Sequence, residues 1–136
     1  YISISMTDKG SVNKAFNKLI VSFLDDIISI FPEQDDIATA KTSLLSLKQM
    51  NPSILIKSWF KMVYTPYAEA INSGDVNFFF DKDYSADLQN IPNGKEFMKV
   101  INKVRDPIRT MDTTNRGHCA EYILKLSKLS ELYNSM

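Results

Sequence analysis

His118 and Cys119 are the chain's one histidine and one cysteine, and they are adjacent. Nucleophilic catalysis by a thiol needs an imidazole converging on the sulfur. Neighbours on a helix diverge by about 100°, so this pair does not meet. Cys119 also falls on an apolar stripe, which predicts a structural thiol beside a surface histidine. One histidine and one cysteine are too few for a zinc site without carboxylate help. The segment DKDYSADLQNIP, residues 81–92, places Asp81, Asp83, Ser85 and Asp87 at the alternating positions of a calcium loop. Its sixth residue is Ala86 where the sharp turn wants glycine, and its twelfth is Pro92 where a bidentate glutamate belongs. A polar loop with capping aspartates is the better reading. Asp25-Asp26 and Asp35-Asp36 are paired acids, but adjacent side chains diverge on a helix, and capping explains them more simply than acid-base chemistry. The glycines at 10, 74, 94 and 117 form no phosphate-binding loop. The sequence therefore predicts a non-enzymatic protein with no catalytic residues, cofactor or metal.

Two groups of residues suit binding instead. Arg105, Arg109, Arg116 and Lys125 could touch phosphates or other anions, although Asp106 and Asp112 lie close enough in sequence to neutralise part of that charge. Trp59, Tyr64 and Tyr67 cluster around Thr65-Pro66, and Phe78, Phe79 and Phe80 follow soon after. Aromatic side chains combine large apolar area with few rotamers, which suits them to interfaces. Three consecutive phenylalanines on one turn cannot all enter one core, so at least one must seek a second surface.

The elements that would position these residues read as helices. Ser11 can cap a helix over 12–31, whose apolar residues recur at alternating intervals of three and four. Pro32 stops it, and Asp35 or Asp36 can cap the next helix, which runs to about residue 50. Asn51-Pro52 then opens a third, with Asn51 as cap and Pro52 in the first turn. From 54 to 64 that helix is apolar on nearly every side, interrupted only by Lys57, Ser58 and Lys61. Either it is the centre of the chain's own core or a partner covers it. Thr65-Pro66 should break or kink it, and Ser73-Gly74 should end the helix that resumes. Asp75 can cap a short turn carrying the phenylalanines, and 91–94 is a loop. A helix over 95–104 follows, Asp106-Pro107 restarts the chain at a new angle, and Thr113 or Thr114 caps the last helix. In that helix Cys119, Tyr122, Ile123, Leu126, Leu129, Leu132 and Tyr133 form one stripe. No alternation typical of strands is present. The expected fold is all-α, a compact single-domain bundle of about five to seven helices spanning 1–136, with the central helix mostly buried.

Composition agrees with this. The 136 residues carry 16 basic and 16 acidic side chains and a formal net charge of zero, against a general nucleic-acid binder or a polybasic membrane anchor. Charge is uneven, with acids in excess over 7–36 and bases over 95–128. A single cysteine precludes an intrachain disulfide and suits a reducing compartment. No apolar run is long enough to span a bilayer, and no signal-peptide pattern is expected at the start. Residues 1–10 read as irregular. YISIS precedes a polar MTDKGS, which makes Met6 the expected native initiator.

The blocks AFNKLIVSFLDDIISIFPE, MNPSILIKSWFKMVYTPYAEAINSGDVNFFFDKDY, NKVRDPIRTM and KLSKLSELYN together carry a resemblance. In their FLDD…IFPE start, NP–LIK–W element, Y–PY–I–SGD–FF–KDY middle and LSKLS–L end they resemble a family of small helical proteins of large nucleocytoplasmic DNA viruses of algae and protists. The likeness runs over nearly the whole chain from Phe16. It implies a viral context and a place in the virion, or in the host cytoplasm at the virus factory, and it brings no active-site residues. The resulting expectation is a viral structural or scaffold protein, a minor capsid-associated component in one version. It would self-associate or bind other viral proteins through Trp59, Tyr64, Tyr67, Phe78, Phe79 and Phe80. The alternative is an accessory factor that contacts nucleic acid through Arg105, Arg109, Arg116 and Lys125.

Overall fold

Helix α1 spans Lys9–Ile30 and is capped by Asp8, whose carboxylate accepts from the Ser11 amide at 3.2 Å and from the Ser11 hydroxyl at 2.8 Å. Ser11 is therefore the residue that the cap holds, not the cap itself. Those bonds to the ionised form lower the Asp8 pKa from its ordinary value. The computed structural model describes residues 8–74 and 94–136. The Met6 start, the turn carrying Phe78 to Phe80 and the calcium-like segment 81–92 lie outside the described residues.

Helix α2 spans Asp35–Met50. Its cap position is Gln34, which makes no side-chain cap bond, so Asp35 and Asp36 sit inside the first turn. There they act through their charge on the helix dipole rather than as caps. Asn51 does not begin the next helix either. Its side-chain oxygen accepts from the Ser53 amide at 3.2 Å, which folds 51–53 into a turn. Helix α3 then spans Ile54–Trp59 and passes without a break into a π-helical turn, Phe60–Tyr64, and a 3-10 turn, Thr65–Tyr67. Pro66 gives a physical reason for the widening. It has no N–H, and its ring would crowd the carbonyl four residues back in a regular helix. The chain relieves this by bonding the Thr65 amide to the Phe60 carbonyl, five residues back. Helix α4, Ala68–Asn72, follows and ends at Gly74, which has a φ of 88°. Only glycine adopts that conformation without cost.

Helix α5 spans Gly94–Arg109 and α6 spans Thr113–Ser135. The expected change of direction at Asp106-Pro107 does not occur, because α5 runs through Pro107 to its end. Proline at this position forfeits a hydrogen bond and crowds the carbonyl four residues back, yet Pro107 and Ile108 are both buried and the helix continues for two residues beyond the proline. The chain turns at Thr110 and Met111 instead, whose amides close onto Pro107 and Ile108 at 3.1 Å each. Helix α6 is capped by Asp112, which accepts from the Asn115 amide at 2.8 Å, rather than by Thr113 or Thr114.

The fold is all-α, as the sequence predicts, with no strand among the described residues. Helix α1 lies along α6, α2 packs against α1 and α5, and α3 with its π-turn runs through the middle against the others. Trp59 is fully buried there. Its indole meets Phe16 edge-on at 6.1 Å and donates to the Ser127 hydroxyl at 2.9 Å. Removing an aromatic ring of this size from water contributes about 5 kcal/mol as an upper bound. The central helix is thus covered from within the chain, with Lys57 and Lys61 facing water. Ser58 departs from its expected place on that polar stripe: it is buried, and its hydroxyl has no hydrogen-bond partner.

Candidate functional site

The expected aromatic surface is only partly a surface. Trp59 belongs to the centre of the core. Tyr64 is 6% exposed, stacks on Phe60 and donates from its hydroxyl to Glu131 of α6. That bond to a carboxylate raises the Tyr64 pKa from its ordinary value. Both residues are corrected from docking anchors to core residues. Trp59 closes the α-helical part of the central helix and Tyr64 the π-turn, and both fall on the side turned to the core. Tyr67 is half-buried against the core.

The expected anion surface is also reduced. Arg105 is 6% exposed and donates to the Asn102 side chain at 3.1 Å, so it is a packed residue rather than a phosphate ligand. Arg109 pairs with Asp106 at 3.0 Å. Arg116 and Lys125 both stand on α6, but nine residues of helix separate them by about 13 Å along its axis. Lys125 lines a shallow notch with Asp26, His118, Glu121 and Tyr122, where acids balance it.

That notch and a neighbouring one bring together the titratable groups the sequence singled out. Tyr122 of α6 stacks on Phe23 at 5.0 Å and donates to Asp26 of α1. Hydrogen bonding to the Asp26 carboxylate, with burial behind it, pushes the Tyr122 phenol up to about 12. His118 is exposed and Cys119 is buried. Desolvation, with Asp26 adding to it, pushes the Cys119 thiol up to about 11, and its sulfur lies 3.6 Å from that of Met111. A thiol held protonated in the core is a poor nucleophile. His118 thus faces water while Cys119 faces the core, and no hydrogen bond joins the two. No group of three or more potential metal ligands occurs among the described residues.

A different site emerges between α1 and α2. A groove of about 700 Å³ runs beside Pro52, with Val21 and Leu45 among its lining and Lys14, Lys18 and Lys48 around it. No acidic residue lines it. Asn13 and Asn17 both donate their amide hydrogens to the Pro52 carbonyl, at 3.1 and 2.9 Å, which ties the 51–53 turn to α1. Their side-chain oxygens are buried and have no hydrogen-bond partner, and Asn17 as a whole is only 5% exposed. A second groove, of about 380 Å³, lies on the other side of α2, between it and α5, with Met50, Lys99 and Lys103 in its lining. Leu45 at 38% and Met50 at 71% exposure are two of the large apolar side chains that α2 and α6 leave facing water. Helix α2 is thus a ridge between two grooves, with an apolar residue towards each.

Sequence reasoning missed this face, yet a signal for it was present. NKAFNK at 13–18 repeats an asparagine-lysine pair at an interval of four, which places both asparagines, and both lysines, on one side of a helix.

No match emerges from comparison of the chain with protein families, with curated proteins or with solved structures. No helix among the described residues is long and apolar enough to cross a membrane.

Proposed function

We propose that this chain is a non-enzymatic interaction protein, and that it docks other proteins across the exposed face of α2. The viral resemblance gives the setting: a structural or scaffold role in a virion or virus factory. The observation that carries the docking reading is the placement of Leu45 and Met50. Each is exposed beside a groove, on a helix whose other large apolar residues, Ile37, Leu44 and Leu47, are buried in the core. Large apolar residues beside concave, partly apolar surface are what a protein partner covers. The non-enzymatic reading is supported by the chemistry of the notch, where Tyr122 and Asp26 are bonded to each other and the Cys119 thiol is withdrawn.

Photo-crosslinking tests the docking reading. A photoreactive residue at Met50 should give a discrete adduct, with a second copy or with a viral protein, that the same residue at Lys128 on α6 does not give. Adducts of equal yield from both positions, or none from either, would count against α2 as the docking face. Leu45→Glu should remove the adduct without changing helical content.

A further inference from the structure

We infer that the groove between α1 and α2 takes an acidic, extended segment of a partner protein; this rests on the docking reading and names its ligand. Charge is the first reason. Lys14 and Lys18 stand on the α1 wall and Lys48 on the α2 wall, with no carboxylate in the lining. Asp8 lies at the Gly10 end and offsets part of the Lys14 charge, so the lining stays net positive through Lys18 and Lys48 in a chain that is neutral as a whole. Shape is the second. The lining runs from Gly10 to Ser22 of α1, about 18 Å along the helix axis, the length of about five or six extended residues. Lys14 and Lys18 are separated by about 6 Å of helical rise, close to the repeat of about 6.6 Å between alternate side chains of an extended chain. An acidic residue at every second position therefore matches both lysines.

The choice of peptide over nucleic acid follows from what else lines the groove. Val21, Leu45 and Pro52 offer apolar contact, while the lining has no aromatic ring on which a base would stack and no arginine to fork a phosphate. The buried oxygens of Asn13 and Asn17 lack donors. A peptide backbone brings a regular row of N–H donors that can reach them after a small shift of the groove wall, whereas a nucleic acid carries its N–H donors on bases, for which the lining has no aromatic ring to stack. Leaving a buried acceptor unsatisfied is costly, so an occupant that supplies donors is favoured over one that does not.

The test uses fluorescence anisotropy on the whole chain with three labelled probes. The first is a peptide of about ten residues with glutamate at alternate positions and small apolar residues between; the second has glutamine in place of each glutamate; the third is a single-stranded oligonucleotide. The acidic peptide should bind roughly tenfold or more tightly than the glutamine peptide, and added salt should weaken it. Lys14→Glu with Lys48→Glu should reduce its affinity by roughly tenfold or more, and Lys103→Glu, beside the other groove, should not. Circular dichroism on each variant separates loss of the site from loss of the fold, and Lys14→Gln with Lys48→Gln supplies a milder pair should the reversals not fold. Equal binding of acidic and glutamine peptides overturns the inference, as does tighter binding of the oligonucleotide or indifference to the lysine changes. If both peptides bind equally and Leu45→Glu abolishes both, the acidic ligand is wrong while protein docking on α2 stands. If neither binds, the inference fails and the crosslinking at Met50 decides the docking reading separately.

Discussion

Ser127→Ala should destabilise this protein more than its small change in volume suggests. Ser127 is fully buried on α6, and its hydroxyl accepts from the Trp59 indole at 2.9 Å across 68 residues of sequence. Alanine fits the same space but withdraws that acceptor from a fully buried donor. A buried polar group that loses its partner costs about 1–3 kcal/mol. Urea unfolding followed by circular dichroism should then show a midpoint lowered by roughly 1 M, given ordinary denaturant slopes for a chain of this size. Trp59→Phe separates the bond from the packing. It removes the donor together with part of the ring, so its own cost includes a cavity. That cavity is present in both the Trp59→Phe single variant and the double variant with Ser127→Ala, and it cancels in the cycle. The remaining coupling should be about 1 kcal/mol. A Ser127→Ala midpoint equal to wild type, or a coupling of zero, would refute the assignment of this bond as a main tie between α3 and α6.

Other outcomes follow from the same structure. Ser58→Ala should be neutral or stabilising by up to about 1 kcal/mol, because it removes a buried hydroxyl that has no partner; a loss of stability in the same urea experiment would show that the hydroxyl is satisfied in solution. The Tyr122 phenol has a folded-state pKa raised from 10.0 to about 12, so the stability it contributes is present below about pH 10 and lost as pH rises towards 12. Phenolate absorbance should show a late-ionising tyrosine that Tyr122→Phe removes; loss of a phenol that ionises near its ordinary pH of about 10, with the late step kept, would deny the bond to Asp26. Phe79 lies outside the described residues, and its docking role is an expectation from the sequence alone: Phe79→Asp should abolish association made through 78–80 and leave helical content intact, and association that survives removes those residues from the docking surface.

The fold was legible from periodicity, because alternating intervals of three and four report a buried helical face whatever covers it. The helix starts were less so. At Asp8 and Asp112 an aspartate won over the serine or threonine that follows, since a carboxylate both accepts the amide and complements the dipole. Pro66 and Pro107 look alike in sequence and act differently in the fold. Pro66 lies inside a long helical run and forces a π-turn; Pro107 lies in a last turn, is buried, and the helix continues past it. The apolar stripe of α6 is centred closer to Ser127 and Ser130 than to Leu132, because small side chains let α6 approach the buried indole of Trp59. Hydrophobicity alone could not place those serines inside. The α1–α2 groove was the least legible feature. It depends on two helices and a turn that meet only in three dimensions, and its one local trace is the repeat at 13–18.

Backbone amide chemical shifts in a titration with the acidic peptide test docking in the α1–α2 groove most directly. The amides of Lys14, Lys18, Leu45, Lys48 and Ser53 should move together and saturate at one peptide concentration. Those of Arg109, Arg116 and Lys125 should stay still. Shifts confined to the arginine-bearing helices, or absent from the chain, would contradict the site.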